Sequence, residues 1–144
     1  LNWAVGDFRG ARDAALRAIQ LAVEKGDTKQ ADKAKDNFCY WVGEVWLENE
    51  IHVDPNDKDR AFQDCEDLVS RNPDNAGFRD TLAFLKIVFG SDKEIEDGRR
   101  TIRDIFDKAT QDQQRLARVF FIRHESIALR RLKSRLEEMS DARR

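Results

Sequence analysis

Histidine and cysteine are the side chains with which a metal site or a nucleophilic active site would start, and the sequence has two of each. His124-Glu125 opens like the helical zinc-protease motif, but that motif needs a second histidine where Ala128 stands. His52 follows Glu48 at helical spacing, yet no other histidine or cysteine nearby completes a ligand set. These spacings predict no metal site, and we expect both histidines to be structural.

The two cysteines, Cys39 and Cys65, each fall within an apolar helical stripe. Neither has a second cysteine within four residues, so the spacing of a zinc finger is absent. We favour buried, reduced thiols and therefore an intracellular, cytoplasmic setting. A disulfide between neighbouring helices is the alternative.

Carboxylate pairs and phosphate-binding loops are the other residue patterns that could carry catalysis. Acidic pairs such as Asp32 and Asp36 are common on solvated helix faces and indicate no active site by themselves. The segment GSDKEIEDG (90–98) has two glycines but no Gly-Lys-Ser/Thr and no preceding strand, so it predicts no phosphate site. We therefore predict a protein that is not an enzyme and that needs no cofactor.

The net charge of −2 hides an uneven distribution along the chain. From Gln113 onward nine Lys/Arg face four Asp/Glu, which leaves +5 at the C-terminal end and −7 in the rest. A basic tail suits nucleic acid or an acidic partner. However, no aromatic residue lies among the basic residues after Phe121, so the stacking part of a single-strand binding surface is missing. We favour a solvated helix face and keep nucleic-acid binding through the basic C-terminal helix as an alternative.

The elements that carry these residues are predicted to be helices. With 38% charged residues, two prolines and seven glycines in 144 residues, the composition favours an all-α fold in one domain. Apolar residues recur at three and four positions between stops built from Gly, Pro, Asp and Asn. The pattern predicts about six helices, at about 8–24, 29–50, 55–70, 76–89, 93–108 and from 112 onward.

The ends of the chain and its hydropathy add three expectations. No apolar run approaches the roughly 18 residues of a membrane span, so we expect no membrane partner. The sequence lacks an initiator Met, which predicts that 1–144 is one helical domain cut from a longer chain. Residues 112–144 would then form a capping helix that covers the last apolar face.

An aromatic segment, NFCYWVGEVWLENE (37–50), is the strongest candidate for a binding helix. Phe38, Trp41 and Trp46 share one broad face of the predicted helix, whereas Tyr40 and Leu47 point the other way. Such a helix is either packed between two neighbours or lines a peptide groove with Tyr40 or Trp46, since aromatic residues dominate interface anchors.

The spacing of the stops indicates a repeat. Pro55 to Ser91 and Pro73 to Ala109 are both 36 residues, and two helices per 34–40 residues is typical of stacked helical repeats. The segment RAFQDCEDLVSRNPDNAGFRDTLAFLKIVFGSDKE (60–94) resembles a tetratricopeptide (TPR) repeat junction. Its small residue, its proline, its Leu-Ala pair and its glycine follow the order of that family, at Ala61, Pro73, Leu82-Ala83 and Gly90. Arg79 and Lys86 depart from the family pattern, which has large apolar residues there.

The resemblance implies an antiparallel helix-hairpin stack, a TPR-like α-solenoid, whose concave face is formed by the first helix of each repeat. In the register of Leu82-Ala83, the positions on that face are Trp46, Glu50, Asp80, Phe84, Arg115 and Arg123. Asp80 and Phe84 cannot form the two-carboxylate clamp of some members, so a C-terminal carboxylate ligand is not implied.

Together these observations predict a protein–protein interaction or scaffold module that receives a partner peptide or helix in a helical groove. The alternatives are a structural or self-associating helical bundle and nucleic-acid binding through the C-terminal helix. The oligomeric state is left open by the sequence.

Overall fold

A computed structural model describes residues 8–48 and 53–142 of the chain. These residues form six α-helices and no strand, which confirms the all-α prediction. The helices are α1 (Phe8–Glu24), α2 (Thr28–Glu48), α3 (Pro55–Arg71), α4 (Ala76–Phe89), α5 (Asp92–Lys108) and α6 (Gln111–Ala142).

The ends of α2 to α6 lie close to where the sequence places its stops, because residues there satisfy free backbone groups of the first turns. Asp54 accepts a hydrogen bond from the Asn56 amide before α3, with Pro55 at the first helical position. Ser91 and Glu94 form a reciprocal capping box at the start of α5. Gly26 turns the chain between α1 and α2 at φ +68°, a conformation that favours glycine.

The chain divides into two compact units, Leu1–Leu82 and Ala83–Arg144, and the division falls inside α4. The single domain predicted from the chain length stays a prediction.

In the first unit, α2 packs against both α1 and α3. Phe38 and Trp41 are buried and stacked, with ring centroids 5.9 Å apart. Two arginine–carboxylate pairs join helices that are distant in sequence: Arg12 with Asp57 and Arg71 with Asp32. Both arginines bind both oxygens of the carboxylate, a geometry that the planar guanidinium favours.

Both cysteines are buried and free, as we predicted. The Sγ of Cys39 on α2 donates a hydrogen bond to the carbonyl oxygen of Ala61 on α3, at 3.2 Å.

In the second unit, α5 packs against α6, and the C-terminal half of α4 supplies buried apolar side chains. Gly98 of α5 lies so close to α4 that a Cβ there would be 2.7 Å from the carbonyl oxygen of Ala83. Ala83 and Ile87 are buried, although they lie on nearly the opposite side of α4 from Leu85. The C-terminal half of α4 is therefore covered on more than one side.

The last helix is the longest of the described elements. α6 runs without a break for 32 residues. It exposes large apolar side chains along much of its length: Leu116, Val119, Phe120, Ile122, Leu129, Leu136 and Met139. A helix that caps a stack has a polar outer face, and the capping role of α6 stays a prediction.

Candidate protein-interaction surface

One face of α6 is committed to the second unit. We call it the inner face; it carries Gln114, Phe121, His124, Ala128, Arg131 and Arg135. The Phe121 ring stacks on Phe106 of α5 with centroids 4.5 Å apart, and the Gln114 side-chain amide donates to the Phe106 carbonyl at 2.8 Å. His124, which is fully buried, stacks on Phe84 of α4.

The basic residues in the second half of α6 are partly occupied by the same unit. Arg131 donates hydrogen bonds to the carbonyl oxygens of Ile87 and Gly90, at 2.8 and 3.0 Å, and so binds the end of α4. Arg135 forms an ion pair with Asp92 at 3.0 Å. Burial and the neighbouring Arg135 lower the pKa of Arg131. These arginines serve the fold, which weakens the case for a nucleic-acid surface built on them.

On a second face of α6, the apolar side chains are exposed and are not covered by a neighbouring helix. We call it the outer stripe; it consists of Ile122, Leu129 and Leu136. Each of these side chains is between 50% and 66% exposed. They are seven residues apart, so they drift by only about 20° per interval around the helix. At 100° per residue this line lies about 110° from the centre of the inner face.

The outer stripe has the composition of a helix–helix seam. Apolar residues at seven-residue intervals are the positions that a second helix covers in a coiled coil. The largest exposed apolar patch of a soluble protein is often a functional site.

Charge is distributed unevenly beside the outer stripe. Arg115 and Arg118 are exposed near the start of α6, within about 40° of the line through Leu129, whereas Glu137 is exposed near its end, about 80° from that line. The stripe therefore has two cations at its first end and a carboxylate beside its last end.

The residues predicted from the repeat register do not form one surface. In the first unit, Tyr40 and Trp46 are half-buried on α2, and the ammonium of Lys58 lies 6.0 Å from the centroid of the Trp46 ring. Asp80 is also half-buried, and burial raises its pKa to about 6, with a further contribution from the charge of Asp36. Glu50 lies outside the described residues, as does His52.

In the second unit, the remaining predicted residues fall in different environments. Phe84 is fully buried, so its ring offers no surface to a partner in this structure. Arg123 is half-buried with its guanidinium 6.0 Å from the Phe84 ring centroid, and Arg115 is exposed on α6. Phe84 is therefore corrected from a contact residue to a core residue, because its ring packs against His124.

Two general properties can be stated for the described residues. Across 8–48 and 53–142, no three His, Cys, Asp or Glu side chains are grouped as ligands for a metal ion. None of the described helices combines the length and the apolar character that crossing a membrane requires.

No protein-family model matches the chain, and neither a curated protein nor a solved structure is significantly similar to it. The TPR resemblance therefore stays a prediction that rests on the residues quoted for it.

The outer stripe was not predicted from the sequence, although a signal was present. We expected residues 112–144 to form a capping helix and named no binding residue among Ile122, Leu129 and Leu136. Ile122 and Leu129 extend the apolar character around the helix beyond what one neighbour can bury.

Proposed function

We propose that this chain is a non-enzymatic protein–protein interaction module that binds an apolar α-helix of its partner along the outer stripe of α6. The single observation that carries this proposal is the exposure of three large apolar side chains at helix-pairing intervals on a helix whose inner face is already packed. An extended peptide would match this surface less well, because a straight helix offers no row of open backbone groups for strand addition.

The proposal keeps the interaction role expected from the sequence and moves the binding surface. The predicted groove relied on first-helix positions such as Asp80 and Phe84, whereas most of the exposed large apolar side chains of the described residues lie on α6. Arg115 is shared by both versions, since it lies at the basic end of the outer stripe. A TPR-like scaffold is compatible with either surface.

Site-specific photo-crosslinking tests the proposal. A benzophenone-bearing residue is placed at Ile122 or Leu136 in the full chain, in its native cells, and at Ser134 as the control. Ser134 is exposed on the same helix but about 140° from the line through Leu129. We expect crosslinks from the two stripe positions to one identified helical segment and few from Ser134. Equal crosslinking from Ser134, or no crosslinks from the stripe, would contradict the proposed function.

A further inference from the structure

We infer that the helix on the outer stripe is α6 of a second copy of this chain, and that the two copies pair antiparallel about a twofold axis near Leu129. This inference rests on the proposed function, since it names the partner of the same surface.

The spacing of the outer stripe is the first argument. Ile122 and Leu136 each lie seven positions from Leu129, so the line reads the same in both directions from Leu129. A twofold antiparallel pair needs this symmetry, because a residue before the centre meets the residue equally far beyond it. Ile122 then lies at the level of Leu136 of the second copy.

The charges beside the stripe select the antiparallel orientation. Along the helix axis, antiparallel pairing brings Arg118 near the start of one α6 to within about one turn of Glu137 near the end of the other. Parallel pairing in register would instead place Arg118 beside Arg118 of the second copy and Glu137 beside the second copy's Glu137. Like charges that face each other across an interface oppose association, whereas opposite charges set the register.

The inner face leaves the outer stripe accessible for such pairing. Glu125, the only acidic residue in the middle of α6, is held by Arg99 of α5 at 3.1 Å and is oriented toward its own unit. The stacking of Phe121 on Phe106 holds the first half of α6 on the same side. A second α6 can approach the outer stripe without displacing either contact.

Sedimentation of the full 144-residue chain at micromolar concentrations tests the inference. We expect a species of twice the 16.7 kDa chain mass. Leu129→Glu should convert it to a monomer, since two carboxylates would meet at the twofold axis. Ser134→Glu introduces the same charge away from the stripe and should leave the dimer intact. Circular dichroism of both variants should show unchanged helix content, because both side chains are exposed.

Charge exchange tests the orientation. Arg118→Glu alone and Glu137→Arg alone should each weaken the dimer several-fold, and the double variant should recover it. Two weak single variants without recovery in the double variant would overturn the antiparallel arrangement.

The outcomes separate this inference from the proposed function. A wild-type chain that remains monomeric overturns self-pairing, while crosslinks from Ile122 to a helix of a different protein would still support the interaction role. A dimer that persists in Leu129→Glu would place the interface elsewhere and would overturn self-pairing through α6.

Discussion

The imidazole of His124 on α6 stacks against the ring of Phe84 on α4, with centroids 4.8 Å apart and planes inclined by 30°. Both side chains are buried, so the pair fixes which side of α6 faces its own unit. The outer stripe lies on a different face of α6, which this packing leaves exposed.

Phe84→Ala should lower the free energy of unfolding by about 3–5 kcal/mol, because the substitution opens a cavity beside His124. Phe120→Ala is the matched control: the same residue type is removed where the ring is 56% exposed, and the change should be within about 0.5 kcal/mol. Urea unfolding followed by circular dichroism measures both. A small loss for Phe84→Ala would restore it as a candidate contact residue.

Gly98→Ala should destabilise the second unit, although the same change in an open helix stabilises by about 0.5–1 kcal/mol. The new Cβ would lie 2.7 Å from the carbonyl oxygen of Ala83 and 3.0 Å from Cγ1 of Ile87, so α4 and α5 would have to separate. We expect a loss of about 1–3 kcal/mol in the urea midpoint analysis. A rise in stability would show that α4 and α5 are not in close contact at Gly98.

The carboxyl group of Asp80 should make the free energy of unfolding depend on pH. Its pKa is raised by burial to about 6 in the folded chain from 3.8, so folding favours the protonated form. The stabilising contribution is therefore complete below about pH 4 and is lost as the pH rises through 6, with a total of about 3 kcal/mol.

Asp80→Asn removes this titration and is compared with Asp74→Asn, which changes an exposed carboxylate. The Asp80 variant should match the wild type at pH 4 and exceed its stability at pH 7.5 by about 2–3 kcal/mol. Chemical denaturation across this pH range provides the comparison. A difference of equal size at both pH values would show that Asp80 does not titrate between them.

Much of the fold could be predicted from the sequence because its helix ends are encoded locally. Asp54-Pro55 and Ser91 with Glu94 satisfy the first turns of α3 and α5 by contacts within four residues, so single-sequence patterns reveal them. The division inside α4 could not be predicted, since it depends on contacts between residues distant in sequence.

The candidate site was predicted less well, for a physical reason. Apolar periodicity shows which residues avoid water but not whether a neighbour covers them. Phe84 and Leu129 look alike in the sequence, yet one is fully buried and the other is half exposed. The register of the repeat resemblance assigned Phe84 to the surface, and only its packing against His124 reveals its role.

The central claim is that the outer stripe pairs with a second α6 around Leu129, and oxidative crosslinking of Leu129→Cys tests it most directly. The native Cys39 and Cys65 are buried, so they should not compete for the oxidant. We expect Leu129→Cys to form a covalent dimer under mild oxidation, because the two thiols would meet at the twofold axis, and we expect Ser134→Cys to stay monomeric. Equal crosslinking of the two variants, or no covalent dimer from Leu129→Cys, would contradict the claim.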